Sequence, residues 1–317
     1  MSARVVHTGQ AVVDLVLRVA ALPEPGGDTF ARDTQLAVGG GFNVLAAAAR
    51  VGAEVVYAGG HGTGPFGDLV RSAMAAEGIA VLARPDPARD TGFSVAFVDD
   101  SAERTFVSTL GAEGDVTIEH YRTAAPRAGD VVYLTGYSLL HPAGRTALLS
   151  WLPELPAGAL VVLDPSPVVG ELGVEVIRAA AARTTVWSTN DREAGIVAGL
   201  LGVPFPPAAG TAERAGLLAA ALRCTVVLRA GAQGAVAAAW LPEHGAVGEV
   251  TRVPALPVQV VDTNGAGDAH CGVLCAALAA GRDLPSAVHR ATVAAGIAVT
   301  RPGPATGPSR AELEALL

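Results

Sequence analysis

No lysine occurs in the 317 residues; all 22 basic side chains are arginine. A phosphate-binding loop of the GxxxxGK[ST] type needs its lysine. A protein kinase of the usual plan needs one on its third strand, and Schiff-base chemistry needs one as nucleophile. Each is excluded in its ordinary form, so phosphate must be held by backbone N–H groups, arginine or a metal. Positive charge is scarce: the net charge is −8 and 16% of residues are charged. Nucleic-acid binding, which needs a basic face, is disfavoured. No apolar run reaches the ~18 residues of a membrane span. Asp14 and Arg18 interrupt the opening "MSARVVHTGQAVVDLVLRVA", which lacks the apolar core of a secretory leader, and a cytoplasmic protein is expected. The three cysteines cannot all pair with one another. Cys271 and Cys275, one turn apart on an expected helix, read as small buried apolar residues, with a metal or redox role as the alternative.

Half of the residues are apolar, enough for a large core. Apolar β-branched runs (4–9, 54–59, 130–136, 159–164, 184–189 and 225–229) alternate with alanine-rich helical stretches (43–51, 67–77, 143–152, 171–182, 192–200, 211–222, 268–280, 284–300 and 309–316). Strands that are apolar throughout, each followed by a helix, indicate a parallel sheet covered on both faces. Residues 11–37 and 92–110 instead alternate polar and apolar with no helix between, as in "GFSVAFVD". They are expected to form a small β lid on an α/β body made of 1–10, 38–91 and 111–317. An edge of short strands is costly to leave bare, so the lid is also a candidate homodimer contact.

Five glycine or capping motifs stand at strand-to-helix junctions or turns. In "VVDTNGAGDAH" (260–270), Gly265, Ala266 and Gly267 open an apolar helix, and Asp268 follows. Uncapped N–H groups and the helix dipole make an anion site there. A carboxylate on its lip suggests a base beside a phosphate. "GTGPFG" (62–67) fits the dinucleotide fingerprint GxGxxG and supports a nicotinamide oxidoreductase as the rival reading. It follows the second strand rather than the first, however, and Asp86 lies in a loop. "VGGGFN" (38–43) lets a ligand approach the backbone, and Asn43 either caps a helix or binds a hydroxyl. In "STNDREA" (188–194), Asn190 and Glu193 form either a capping pair or an oxygen site for hydrated magnesium. "RAGAQGA" (229–235) is a glycine turn after an apolar strand.

Together these motifs resemble the ribokinase-like, or PfkB, carbohydrate kinases over nearly the whole chain. "DTNGAGD" (262–268) matches the family signature DTxGAGD, and "NDREA" matches its NxxE. The resemblance implies an α/β ribokinase-like fold with a β lid, and transfer of the ATP γ-phosphoryl to a hydroxyl of a sugar or nucleoside. It implies Asp268 as base, with the backbone of Gly265, Ala266 and Gly267 as anion hole. Asp14, Gly39, Gly40, Gly41 and Asn43 fall where relatives bind sugar hydroxyls. Asn190, Arg229, Gly231, Gly234 and Thr292 fall in the ATP site, and Asn190 and Glu193 near Mg2+. Carbonyls near Asp262, Ala298 and Gly303 fall where some relatives hold a monovalent cation such as K+.

The chain departs from the family pattern in places. Val38 holds the place of a glycine in the first glycine motif. The lysine of that motif in the ribose-specific branch is absent, and so is that branch's glutamate after the third strand, where this chain reads "TGYSLL" (135–140). These departures put ribose itself in question as the substrate. Phe42, Phe93 and Phe106 could wall a bulkier substrate or form lid core. Arg104 could meet an acidic substrate or face water, and His270 could meet substrate or pack inside its helix. A non-catalytic sugar-binding protein is the third reading, disfavoured by the intact Asp268, Asn190 and Glu193.

Overall fold

The structure, a computed structural model, describes residues 2–101 and 103–317. Thirteen strands among these residues form two sheets. The large sheet contains β1 (Arg4–His7), β4 (Glu54–Tyr57), β5 (Ala80–Val81), β8 (Val131–Thr135), β9 (Leu160–Asp164), β10 (Val186–Asn190), β11 (Thr225–Arg229), β12 (Ala235–Leu241) and β13 (Ala246–Val253). Its order is β13-β12-β11-β10-β9-β8-β1-β4-β5. The small sheet contains β2 (Ala11–Arg18), β3 (Asp33–Gly40), β6 (Phe93–Val98) and β7 (Arg104–Ser108), in the order β3-β2-β6-β7.

From β5 to β11 every pairing in the large sheet is parallel. Strand residues alternate between two cores, as a pleated strand requires. Val6, Val56, Leu134, Trp187 and Leu228 enter one, while Val5, Val55, Val131, Val186 and Val227 enter the other. The far edge departs from the expected parallel sheet, because β12 and β13 form an antiparallel hairpin on β11. "AVAAAWL" carries little β propensity, so the hairpin had no sequence signal. It forms because β11 offers an unpaired edge next to the turn at 230–234.

The helices are α1 (Gly41–Arg50), α2 (Pro65–Ala76), α3 (Ile118–Arg122), α4 (Gly136–Leu140), α5 (Pro142–Trp151), α6 (Val174–Ala181), α7 (Asp191–Leu200), α8 (Thr211–Leu222), α9 (Ala266–Ala279), α10 (Leu284–Ala298) and α11 (Arg310–Glu314). The short α3 and α4 fall outside the expected helical stretches. Helix α9 is small-residue and apolar, and it is buried from Ala269 to Ala277. Gly272 permits its close approach to α1, since a Cβ there would collide with the Val44 carbonyl and Ala47. This contact sets the starts of α1 and α9 side by side, each after a glycine turn. Among the described residues no helix is long and apolar enough to cross a membrane.

Candidate active site

Asn43, in the first turn of α1, donates from Nδ2 to Asp268 Oδ2 at 3.0 Å. Its Oδ1 is buried and has no partner among the described residues, so an acceptor is left for a ligand hydroxyl. Burial raises the Asp268 carboxyl to about 6; the Asn43 bond opposes the shift, and the Asp164 charge adds to it. Burial likewise raises Asp14, on β2, to about 6. Asp14 lies directly against Gly39, where any Cβ would overlap its carboxylate. The glycines of "VGGG" thus continue β3 through Gly40 before α1 begins at Gly41. They bring Asp14, Asn43 and Asp268 to one place.

Gly265 adopts a left-handed conformation, φ 74°, at the N-cap of α9, and a Cβ there would strike the Pro304 carbonyl. Gly265 has no side chain to cap this helix, and among the described residues no side chain is seen to accept from the N–H groups of Ala266, Gly267 or Asp268. Its N–H groups and dipole therefore meet the adjoining space. That space is a cavity of about 520 Å3 lined by Asn190, Arg229, Gly231, Gly234, Thr263, Ala266, Gly267, His270 and Thr292. Its outer wall is apolar: Leu256, Pro257, Val258, Val260 and Val299. A second, polar cavity shares Asn190, Arg229 and Gly231. The hydroxyl of Thr292 bonds back to the Val288 carbonyl at 2.8 Å, which occupies it within α10.

Asn190 and Glu193 form a capping box: Glu193 N donates to Asn190 Oδ1 at 2.9 Å and Asn190 N to Glu193 Oε2 at 3.0 Å. Burial and the nearby Asp164 raise the Glu193 carboxyl. The two readings of this pair are compatible. Capping holds Asn190 at the edge of both cavities, and the donor set fits a hydrated Mg2+ held mostly by phosphate oxygens and water. Among the described residues no group of three acidic, histidine or cysteine side chains is placed to chelate a metal directly.

Asp262 organises the loop before α9, with its Oδ1 accepting from Asn264 N at 2.9 Å and its Oδ2 from Gly303 N at 3.1 Å. The carbonyls of Ala298 and Gly303 lie 3.1 and 3.3 Å from the Thr306 hydroxyl. These carbonyls belong to the positions where the family resemblance sets a monovalent cation.

Sequence reasoning placed Arg229 in a nucleotide turn. Arg229 lines both cavities beside Gly231, and its guanidinium also reaches Asp164 Oδ2 at 2.8 Å and Ser188 Oγ at 3.0 Å. Asp164 was missed; the available signal was an acid ending an apolar strand. Cys271 joins this polar cluster and is not simply an apolar filler. All three cysteines are free and buried. His270 is buried with both ring nitrogens unpartnered among the described residues, and burial lowers it to about 3, so the ring is neutral. The three phenylalanines form no common wall. Phe42 is core, Phe93 packs on Phe66 with centroids 5.1 Å apart, and Phe106 is exposed on β7. The Arg104 side chain lies outside the described residues.

The rival turn at 62–67 is closed. Phe66 N and Gly67 N donate to the Asp90 carboxylate at 3.0 and 2.8 Å. A protein acid already fills the place that a cofactor pyrophosphate needs.

A doubly covered, mostly parallel sheet with a separate small sheet and an uncapped glycine turn beside a buried carboxylate defines a ribokinase-like phosphotransferase. The comparisons agree. Residues 2–311 match the family described as pfkB family carbohydrate kinase. The chain is 31% identical over 310 residues to the uncharacterized sugar kinase YegV of Escherichia coli K12, covering 98% of this chain and 92% of that protein. It is 27% identical to the ribokinase of Bacillus subtilis 168, covering 98% and 97%. Ribokinase from Thermotoga maritima superposes with a TM-score of 0.82 at 22% identity, covering 99% of this chain and 98% of that one. Aminoimidazole riboside kinase from Salmonella enterica, solved with aminoimidazole riboside and an ATP analogue, gives 0.77 at 25% identity, covering 98% and 99%. This chain belongs to the pfkB family of carbohydrate kinases. It is a sugar or nucleoside kinase, a phosphotransferase with a hydroxyl acceptor.

Proposed function

We propose that the protein transfers the γ-phosphoryl group of ATP to a primary hydroxyl of a sugar or sugar-like substrate, with Asp268 as base. One observation carries this reading: the Asp268 carboxylate, oriented by Asn43, stands beside the uncapped N-terminus of α9. The hydroxyl proton passes to Asp268. The substrate oxygen then bonds to the γ-phosphorus as the bond to the ADP oxygen breaks. The N–H groups of the Gly265–Gly267 turn hold the charge that moves across the phosphoryl oxygens. Asp14 and the open Asn43 Oδ1 suit substrate hydroxyls, and the apolar cavity wall beside Thr292 suits a purine ring. Mg2+ supplies charge neutralisation of the phosphates when bound, with Asn190 and Glu193 reaching it through water. Dependence on ATP and Mg2+ suits a cytoplasmic enzyme.

The lid, 11–37 and 92–110, closes on substrate in this reading and also forms a homodimer. Strand register sets Leu15, Leu36, Val95 and Val107 in one row across the small sheet, while Asp14, Ser94 and Ser108 share the opposite face. Leu36 and Val107 are half exposed in the single chain. Sedimentation and hydrogen exchange with and without substrate test these two points.

ADP release from ATP and Mg2+ with pentoses, hexoses, sugar acids and nucleosides tests the activity itself. Nucleosides belong in the panel because the riboside kinase above is among the relatives. Turnover of at least one compound, lost in Asp268→Asn, is expected. Turnover of none overturns the reading.

A further inference from the structure

A buried cation underlies the glycine turn. Arg229 ends β11 with its side chain 13% exposed, and its Nη1 lies 2.8 Å from Asp164. The same nitrogen bonds Ser188 Oγ and Cys271 Sγ, while Nη2 lies 3.6 Å from Glu193. A Cβ built on Gly267 would sit 3.8 Å from Cζ and Nη2, with nothing else near it. The guanidinium is thus directly behind the backbone of the turn, and it lines both cavities. Nη1 carries the bracing contacts, and Nη2 lies toward Gly267.

Such an arrangement is expensive as pure architecture, since a buried ion pair rarely stabilises more than an apolar replacement. It also sits among acids from several elements: Asp164 on β9, Glu193 on α7 and Asp268 on α9. A phosphate entering this surrounding meets repulsion unless a fixed positive charge offsets it. The chain has no lysine to do so.

We propose that Arg229 stabilises the transferring phosphoryl group, its guanidinium braced by Asp164 and Ser188 so that a fixed positive charge lies behind the Gly265–Gly267 turn. The proposal rests on the kinase reading above. Preorganised charge in a site shielded from water acts most strongly where charge moves during the reaction. The transfer itself is unchanged: the proton goes to Asp268, the phosphorus–oxygen bond to ADP breaks and the one to substrate forms. Arg229 moves no proton, because its charge is permanent.

The neighbours give a second readout. The groups facing Asp268 are Asn43, Asp14, Asp164, Arg229, Tyr133 and Tyr137. Arg229 favours the ionised base, whereas Asp164 and Asp14 disfavour it.

The test uses Arg229→Met, Arg229→Lys and the double variant Arg229→Met/Asp164→Asn, assayed with ATP, Mg2+ and the sugar turned over fastest by the wild type. Arg229→Met alone strands Asp164 and risks misfolding; the double variant removes both charges and leaves the net charge of the site unchanged. In the double variant kcat is expected to fall roughly 10²–10³-fold, with KM for the sugar little changed. Arg229→Lys, which keeps charge but loses the fork, should lie between. The acid limb of kcat/KM should move to higher pH in Arg229→Met and back down in the double variant. A folded double variant with near-wild-type kcat overturns the proposal. So does a rate loss that follows thermal stability alone, with the acid limb unmoved. Asp268→Asn separates the two readings. If it stays active, the kinase mechanism is wrong; if it is inactive while the double variant is fast, only the role of Arg229 is wrong.

Discussion

Of two glycine-rich turns that open helices in this protein, at 62–67 and 263–267, only the second leaves its helix N–H groups without a carboxylate plug. At 62–67 the N-terminus of α2 is plugged by Asp90, which accepts from Phe66 and Gly67. At 263–267 the N-terminus of α9 carries no side-chain cap. The acid beside it, Asp268, is turned toward Asn43 instead. Both stretches satisfy a phosphate-loop pattern on paper. What separates them is whether the protein itself satisfies the helix donors. The electrostatics differ in sign as well. Burial would raise Asp90, yet the backbone bonds from Phe66, Gly67, Thr91 and Gly64 together hold it below the usual carboxylate value. Burial raises Asp268 to about 6 with too little hydrogen bonding to offset it. A plug is most stable charged, whereas the carboxyl of the proposed base is held closer to neutrality.

The sharpest way to break this contrast is Asp268→Asn. Loss of a general base should lower kcat by roughly 10²–10⁴-fold. The same change should raise the Tm at pH 8. A raised folded pKa means that stability is lost as pH rises through about 6, and the neutral amide does not suffer that loss. Steady-state kinetics and a thermal melt check both halves. A lower Tm with full activity would reverse the assignment.

Gly265→Ala comes next. The left-handed conformation alone costs about 1–2 kcal/mol, and the collision with the Pro304 carbonyl adds to it. Urea denaturation should show a loss larger than that figure, together with reduced turnover. Asp90→Ala should cost about 1–2 kcal/mol, as loss of a helix cap does, and leave kcat unchanged. Its depressed pKa contributes stability that is present at neutral pH and lost as pH falls through the folded value, so the difference from wild type should vanish in acid. Nucleotide-dependent stabilisation gained by Asp90→Ala at this turn would show that the plug, not the fold, is what excludes a ligand there.

A smaller effect is the pH profile of the wild type: kcat/KM should fall as pH drops through about 6, as Asp268 and Asp14 take up protons. A profile flat to pH 4.5 would contradict the burial of both. Exchange of K+ for Na+ should matter least, because the Thr306 hydroxyl already meets the carbonyls of Ala298 and Gly303. A large K+ activation would mean that these carbonyls hold a cation in the working enzyme.

The sequence alone determined the α/β class, the small additional sheet and the signature that includes Asp268. These follow from local chemistry: apolar runs long enough for covered strands, alternation in the small sheet, and glycines where only glycine fits. It left Asn190 and Glu193 open between cap and metal site, because both roles call for oxygen-bearing side chains at the same spacing. It put Arg229 in the nucleotide turn but passed over its partner Asp164, since an acid ending a strand can turn outward to a ligand or inward to a partner. The antiparallel hairpin of β12 and β13 was illegible for a related reason: alanine carries no strong preference, and the unpaired edge of β11 decided its pairing. Only the tertiary structure could say that Asp90 closes one turn, or that Asn43 meets Asp268 across a separation of 225 residues. Those contacts depend on the close approach of α1 and α9 at Gly272, which no local pattern encodes.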